Sequence, residues 1–354
     1  MRIKGRGAAS NPDNRFFSTR VELEDDGWGS SEDAGGKPEP VTVTVERARS
    51  ILSKNDSPDV PFDLSINPYK GCQHGCIYCF ARPTHAYLDL SPGLDFETKI
   101  FAKKNAAELL ARELGKRSYV CSPINIGSNT DPYQPAERRL QITRSVLEVL
   151  ETYGHPCTII TKSALVERDI DIFARMAQRN LVQVFVSVTS LDNRLSSRLE
   201  PAATAPHRRI DAIAHLKSNG IPVGVMVAPI IPAVTDSYLE TIIQLASEAG
   251  ATCAGYTVIR LPYELKELFR EWLANHLPQR ADHVMSLIQQ MHGGRDYDAD
   301  FRTRMRGEGV FAHLIKERFE KACRRSGIES SRAIRLETQH FKVPQKPDLQ
   351  GSLF

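Results

Sequence analysis

Six short apolar, largely β-branched runs recur along the chain: Leu64 to Asn67, Val120 to Gly127, Cys157 to Thr161, Val182 to Thr189, Val223 to Ala228 and Ala254 to Ile259. Their apolar character is nearly continuous rather than alternating, as in strands covered on both faces of a parallel sheet. Between them, residues 105–115, 137–153, 167–179, 207–219 and 236–249 carry helical spacing. In the fourth of these, Ile210, Ile213, Ala214 and Leu216 occupy roughly one face and Lys217 and Arg209 another; Gly220 supplies the stop and Pro222 bars continuation. Repeated strand–helix units need right-handed crossovers. The pattern therefore predicts an α/β fold, a partial (β/α)6 TIM-like barrel over residues 41–262, with ligands at the C-terminal ends of its strands.

Beyond Arg260 the pattern turns helical, at about 263–275, 278–292 and 308–326, which predicts a helical C-terminal extension over 263–341. Residues 1–40 are rich in Gly, Ser, Pro, Asp and Glu and lack apolar periodicity, so they read as a disordered or loosely docked arm in which Phe16, Phe17 and Trp28 are the available anchors. Residues 342–354 read as a flexible tail. No repeat of solenoid type is visible.

Composition narrows the class. At 354 residues and 41% hydrophobic content the chain supports one large α/β unit with extensions. No apolar run reaches membrane-spanning length, and charges stand in MRIKGRGAASNPDNRFFSTR where a signal peptide needs its apolar stretch; a soluble, cytoplasmic protein without membrane contact is expected. With 46 basic and 43 acidic residues, the net charge of +3 gives no strong field toward nucleic acid or membrane. Seven cysteines, an odd number, argue against a disulfide framework. Cys121, Cys157, Cys253 and Cys323 are scattered and read mostly as small core residues.

The other three cysteines fall in Ile66-Asn-Pro-Tyr-Lys-Gly-Cys72-Gln-His-Gly-Cys76-Ile-Tyr-Cys79, directly after the first strand. Thiols spaced C-x3-C-x2-C can converge on one metal centre. Three thiolates on a [4Fe-4S] cube leave one iron open to an outside ligand. A zinc site would recruit His74 or His85 as a fourth ligand, without a recognisable zinc-knuckle spacing. An electron-transfer cluster would want a fourth cysteine, for which Cys121 is the nearest in sequence. Chance clustering of core cysteines fits poorly with a Gly- and Pro-punctuated loop.

The cysteine spacing together with Tyr78 resembles the C-x3-C-x-aromatic-C signature of the radical S-adenosylmethionine superfamily, and the chain is similar to its spore photoproduct lyase-related, DNA repair photolyase-like branch over roughly residues 60–260. The resemblance implies that Cys72, Cys76 and Cys79 hold a [4Fe-4S] cluster. S-adenosylmethionine would chelate the open iron and be cleaved reductively to a 5′-deoxyadenosyl radical that abstracts hydrogen from a substrate. Electrons would come from a reductant such as flavodoxin or ferredoxin, and nucleic acid is the substrate class the analogy suggests.

The same resemblance places Tyr78 against the adenine, Thr130 on the methionine part, Lys162 on the cofactor carboxylate, Ser187 on the ribose and the Ala228 backbone on the adenine. Four of the five have a plainer alternative: Tyr78 packs the loop, Lys162 lies on the surface, Ser187 is a satisfied core hydroxyl, and the neighbours of Ala228 are core. Asp131 either accepts a hydrogen bond from a ribose, substrate or Arg side chain, or caps the helix beginning near Pro135. Asp131 and Arg260 are the candidate catalytic residues. Arg260 to Glu264 and Glu200-Pro201 are further substrate-facing candidates without an assigned role.

Two positions depart from spore photoproduct lyase. Ser128 stands where that enzyme keeps its hydrogen-donating cysteine, and Phe80 stands where it has a tyrosine. Thymine-dimer chemistry in that form is therefore disfavoured. Arg295, Arg302, Arg304 and Arg306 cluster with Tyr297 and Phe301 and offer phosphate binding and base stacking, against the alternative of a solvated loop paired to Asp296, Asp298 and Asp300. Without the resemblance, the cysteine loop also admits a zinc-binding nucleic-acid module or an iron–sulfur electron carrier.

Overall fold

The computed structural model describes residues 6–17, 40–331 and 335–344. Its strands in chain order are β1 (Thr42–Glu46), β2 (Leu52–Lys54), β3 (Leu64–Ile66), β4 (Tyr69–Lys70), β5 (Lys99–Lys103), β6 (Ile124–Ile126), β7 (Cys157–Thr161), β8 (Val182–Ser187), β9 (Val223–Ile230), β10 (Cys253–Val258) and β11 (Glu329–Ser330). The six expected strands are β3 and β6 to β10. They pair in parallel in chain order, with β2 antiparallel on one edge and β11 parallel on the other. The sheet stays open, as expected of a partial barrel. All six residues of β8 are buried, which is why its sequence shows no alternation.

Helices α1 (Leu94–Thr98), α2 (Ala106–Leu114), α3 (Glu137–Leu140), α4 (Ile142–Thr152), α5 (Ile170–Ala177), α6 (Asn193–Leu199), α7 (Pro206–Ser218) and α8 (Leu239–Glu248) fall between these strands. Leu239, Ile242, Ile243 and Ala246 of α8 are buried at the spacing of one helical face. The predicted helix 137–153 divides because Gln141 adopts φ 51° between α3 and α4.

Three readings need correction. The second strand starts four residues late, at Ile124: Val120 is 80% exposed, and Pro123, lacking an N–H, cannot donate to the ladder. Cys121 accordingly is partly exposed rather than core, whereas Cys157, Cys253 and Cys323 are buried. In α7, Arg209 lies with Ala212, Ile213 and Leu216 on the buried face, not on the polar one.

A second sheet, in the order β1-β5-β4, was not legible as strands. Its short strand β4 leads into the cysteine loop, and α1 and β5 return from it. The C-terminal helices are α9 (Leu265–His276), α10 (Ala281–Met291) and α11 (Gly309–Ser326). Helix α11 is fastened to α8 where Arg318 meets Glu240 at 2.7 Å. Residues 335–344 run without helix over the outer layer, where Phe341 meets the rings of Tyr119, Tyr153 and His155. Residues 345–354 of the expected tail lie outside the described residues, as does Trp28.

Residues 6–17 pack against the cysteine loop and α1. Glu97 accepts the N–H groups of Gly7 and Ala8 at 3.1 and 3.0 Å, and Asn11 and Asp95 exchange hydrogen bonds at 3.0 and 2.9 Å. Among the described residues, no helix is long and apolar enough to cross a membrane.

Candidate active site

The cysteine loop is built to hold its backbone in one shape. Gly71 takes φ 78°, and a Cβ there would come within 2.8 Å of the Phe96 carbonyl oxygen, so a side chain is excluded on two grounds. Arg82 is fully buried behind the loop. It donates from Nε to the Cys76 carbonyl at 2.8 Å, from Nη2 to the Gly75 carbonyl at 2.9 Å, and from Nη1 to the carbonyls of Pro92 and Gly93. One planar guanidinium thereby satisfies four loop carbonyls that would otherwise be buried without partners.

Cys72 and Cys76 are buried and Cys79 is half-buried, packed between the Cys72–Phe96 group and the Cys76–Tyr78 group. Burial, then nearby Asp131 and the two other thiols, push the Cys72 thiol well up. Burial and Glu200 push Cys76 up to about 12. As free thiols these two hold their protons at neutral pH, so ligation of a metal must release them.

Among the described residues, no fourth ligand joins the three thiols. His74 Nδ1 turns to Asp131 at 3.2 Å, His85 Nε2 faces the Lys99 carbonyl at 3.0 Å, and Cys121 precedes the opposite end of β6. Among the described residues no group of three His, Cys, Asp or Glu is gathered to hold a single metal ion. Thiolates bound to separate corners of an iron–sulfur cube stand further apart than the ligands of one tetrahedral zinc. The donor set thus fits a three-thiolate cluster and fits a Cys3His zinc site badly.

The strand ends converge on this loop. Asp131, after β6, accepts from Thr161 Oγ1 at 2.7 Å, from the Lys162 backbone N–H at 2.8 Å and from the Tyr133 N–H at 2.9 Å, besides facing His74. Burial works against its charge, but these partners hold it at about 2. Thr130 donates to the Gly71 carbonyl at 2.6 Å and receives Gln134 Nε2 at 3.2 Å. Lys162 places its ammonium 5.7 Å from the centre of the Tyr78 ring. Ser187 closes β8 and is buried, and Thr189 Oγ1 lies 3.0 Å from the Ala228 carbonyl in β9.

Sequence reasoning gave Glu200 no role and placed Arg209 on the wrong face. Both side chains are buried, and they form an ion pair next to Tyr78, whose hydroxyl donates to Glu200. Arg260, after β10, stacks its guanidinium 4.3 Å from the Phe80 ring centre and forms no hydrogen bond or ion pair with the described residues. Phe80 is 45% exposed.

The arginine-rich C-terminal segment is largely neutralised. Arg302 pairs with Asp300 at 2.7 Å, Arg304 with Asp59 at 2.6 Å and Arg295 with Asp298 at 3.4 Å, while Arg306 lies over the Tyr256 ring. Ser128 shares a hydrogen bond with Asn67 at 3.2 Å.

Residues 66–246, just over half of the chain, match the family described as the Radical SAM superfamily. An uncharacterized protein of Mycobacterium tuberculosis is 36% identical over 253 residues, 71% of this chain and 74% of its own length. One of Methanocaldococcus jannaschii is 30% identical over 171 residues, 48% of this chain and 61% of its own. Spore photoproduct lyase complexed with dinucleoside spore photoproduct superposes with a TM-score of 0.55 at 16% identity, covering 81% of both chains. A mutant of that enzyme with bound AdoMet and the dinucleoside gives 0.55 at 15%. At such identity the likeness is one of fold. Family match, fold and an open three-thiol site agree, and the chain belongs to the radical S-adenosylmethionine superfamily of iron–sulfur enzymes.

Proposed function

We propose that Cys72, Cys76 and Cys79 bind three irons of a [4Fe-4S] cluster, whose fourth iron is left for S-adenosylmethionine. The observation that carries this is the set of three neighbouring thiols at the mouth of an open parallel sheet, with both nearby histidines turned away. Held there, the reduced cluster would supply the electron that breaks a carbon–sulfur bond of S-adenosylmethionine, and the cofactor would supply the 5′-deoxyadenosyl radical, with methionine as the other product. A reduced flavodoxin or ferredoxin is the proposed electron donor.

The chain's own residues position the cofactor. The Tyr78 ring offers a face for adenine, Ser187 a hydroxyl for the ribose, and the Ala228 backbone a contact to the adenine edge. Lys162 carries an ammonium free of hydrogen-bonded partners among the described residues and suits the cofactor carboxylate. Thr130, already bonded to Gly71 and Gln134, acts by shaping the loop under the methionine part. Asp131 has its oxygens occupied by four protein groups, so its role is to join the ends of β6 and β7 to the loop rather than to touch substrate.

For the substrate we propose nucleic acid, presented to a rim where aromatic and guanidinium groups alternate. Arg260 stacks on Phe80. Three residues on, exposed Tyr263 lies 4.3 Å from the Arg15 guanidinium, which also faces the rings of Phe16 and Tyr87. Such rings stack bases, and Arg260, without an ion pair among the described residues, can hold a phosphate, whereas Arg15 is paired with Glu264 at 3.2 Å. Because Ser128 and Phe80 replace a thiol and a phenol, the hydrogen donor differs from that of spore photoproduct lyase.

Anaerobic purification and metal analysis test the assignment. The expected protein is brown, with iron and sulfide near four each per chain, and its reduced electron paramagnetic resonance spectrum changes when S-adenosylmethionine is added. A colourless protein holding one zinc would overturn it.

A further inference from the structure

The segment from Leu199 to Arg209 connects α6 to α7 outside the sheet, yet it bonds directly to the cysteine loop and to the ends of β7 and β8, and through Thr189 it reaches Ala228 in β9. We infer that the buried Glu200–Arg209 pair is the positioning element of the cofactor pocket, holding Tyr78, Lys162, Ser187 and Ala228 in one register. The inference rests on the proposed function for what those four residues bind.

Arg209 is 1% exposed and uses all three nitrogens. Nη2 pairs with Glu200, Nη1 donates to the Ser187 carbonyl at 3.0 Å, and Nε donates to the Thr204 carbonyl at 2.6 Å. Thr204 in turn donates its N–H to the Lys162 carbonyl at 3.3 Å. The ends of β7 and β8 are thus fixed by one guanidinium.

Glu200 holds Tyr78 directly and approaches Ala228 through the Thr189 hydroxyl. Its Oε1 accepts from the Tyr78 hydroxyl and from Thr189 Oγ1 at 2.7 Å, and the Thr189 oxygen also lies 3.0 Å from the Ala228 carbonyl. Ser196 reaches Oε2 at 3.4 Å. The same segment holds the cysteine loop directly: the Ile77 N–H donates to the Leu199 carbonyl at 3.0 Å, and the Ala202 N–H to the His74 carbonyl at 3.2 Å. Burial opposes the Glu200 charge, but Arg209 and Lys162 outweigh it and keep the carboxylate ionised at about 2.

A buried ion pair adds little stability compared with apolar residues of the same volume. What apolar residues could not do is accept from a tyrosine hydroxyl on one side and donate to the strand-end Ser187 carbonyl and the Thr204 carbonyl on the other. In Glu200→Gln the amide oxygen can still accept from Arg209, but the amide nitrogen then faces the Tyr78 and Thr189 hydroxyls, which must accept where they now donate, and the charge opposite Arg209 is lost.

The test compares the neutral double variant E200Q/R209Q with the wild type, both reconstituted anaerobically, measuring iron content, Tm and affinity for S-adenosylmethionine by equilibrium dialysis. Two glutamines can bond each other, but the shorter side chain at 209 releases Ser187 and Thr204. The expected result is full iron in a folded protein of lowered Tm, with affinity reduced about tenfold or more. Wild-type affinity in the double variant would overturn the inference. Should that variant lose its iron or its fold, Thr189→Val decides: it removes only the hydroxyl between Glu200 and Ala228, and must weaken the cofactor while retaining iron. Unchanged affinity there also overturns the inference. A wild type that holds iron but binds no S-adenosylmethionine overturns the proposed function itself, and this inference with it.

Discussion

Gly7 lies so close to Gly75 that a Cβ on Gly7 would fall 1.7 Å from the Gly75 carbonyl oxygen. The amino-terminal segment is therefore a strap across the cysteine loop, tied by the two Glu97 bonds and by Arg15 to Glu264 at 3.2 Å. Replacing Gly7 with Val must displace either strap or loop, at a cost on the order of 1–3 kcal/mol. Reduced iron per chain after reconstitution and faster amino-terminal proteolysis are expected. Unchanged iron and protection would show that the strap and the loop are independent.

Arg260 and Phe80 are not among the residues proposed to contact the cofactor, so changing them should separate radical formation from its use. Arg260→Ala is expected to leave 5′-deoxyadenosine formation without substrate near wild type. Hydrogen transfer to or from a nucleic-acid substrate should fall about tenfold or more, corresponding to the loss of roughly 1–3 kcal/mol from a charged, stacked contact. A deuterated substrate reads this directly. Equal loss of both signals would place Arg260 in the cofactor site instead.

Asp131 has a different signature. Its four partners come from the cysteine loop, its own turn and β7, and Asp131→Ala leaves buried donors unpaired. The expected outcome is a stability loss of about 3 kcal/mol or more, visible as a lower urea midpoint even before cofactor is added. A variant with wild-type stability and no turnover would instead make Asp131 catalytic.

Acid should destabilise the protein in two stages. Burial lowers His85 and His155 from 6.5 to about 4 in the folded chain. Between those values the unfolded chain binds protons that the folded one does not, so stability falls as pH drops from about 6.5 to about 4, by at most roughly 3 kcal/mol per histidine. Glu200 shifts from 4.5 to about 2, so its contribution is complete above 4.5 and disappears as pH falls through about 2. Urea midpoints measured across this range should show both steps. Replacing His85 and His155 with Gln should flatten the upper one, and an unchanged upper slope would contradict the assignment.

The fold was legible where chemistry is local. Parallel strands covered on both faces announce themselves as apolar runs, and the three cysteines with Tyr78 fall within eight residues of one another. Strands β1 and β5 were not legible, because Thr42 pairs with Lys99 across a long stretch of chain and neither strand is a continuous apolar run. The Glu200–Arg209 pair was half legible. Arg209 precedes Ala212, Ile213 and Leu216 by three, four and seven residues, so helical periodicity itself puts it on the buried face. Its charge alone suggested solvent. A buried arginine needs an acid, and Glu200 was the acid already noted without a role.

The most direct test of the account is the quantity of 5′-deoxyadenosine formed when the reconstituted protein is mixed anaerobically with dithionite and S-adenosylmethionine, measured by mass spectrometry against the Cys76→Ala variant. The account predicts product from the wild type and none above background from the variant, which retains two of the three thiols. Equal product from both, or none from an iron-replete wild type, would contradict it.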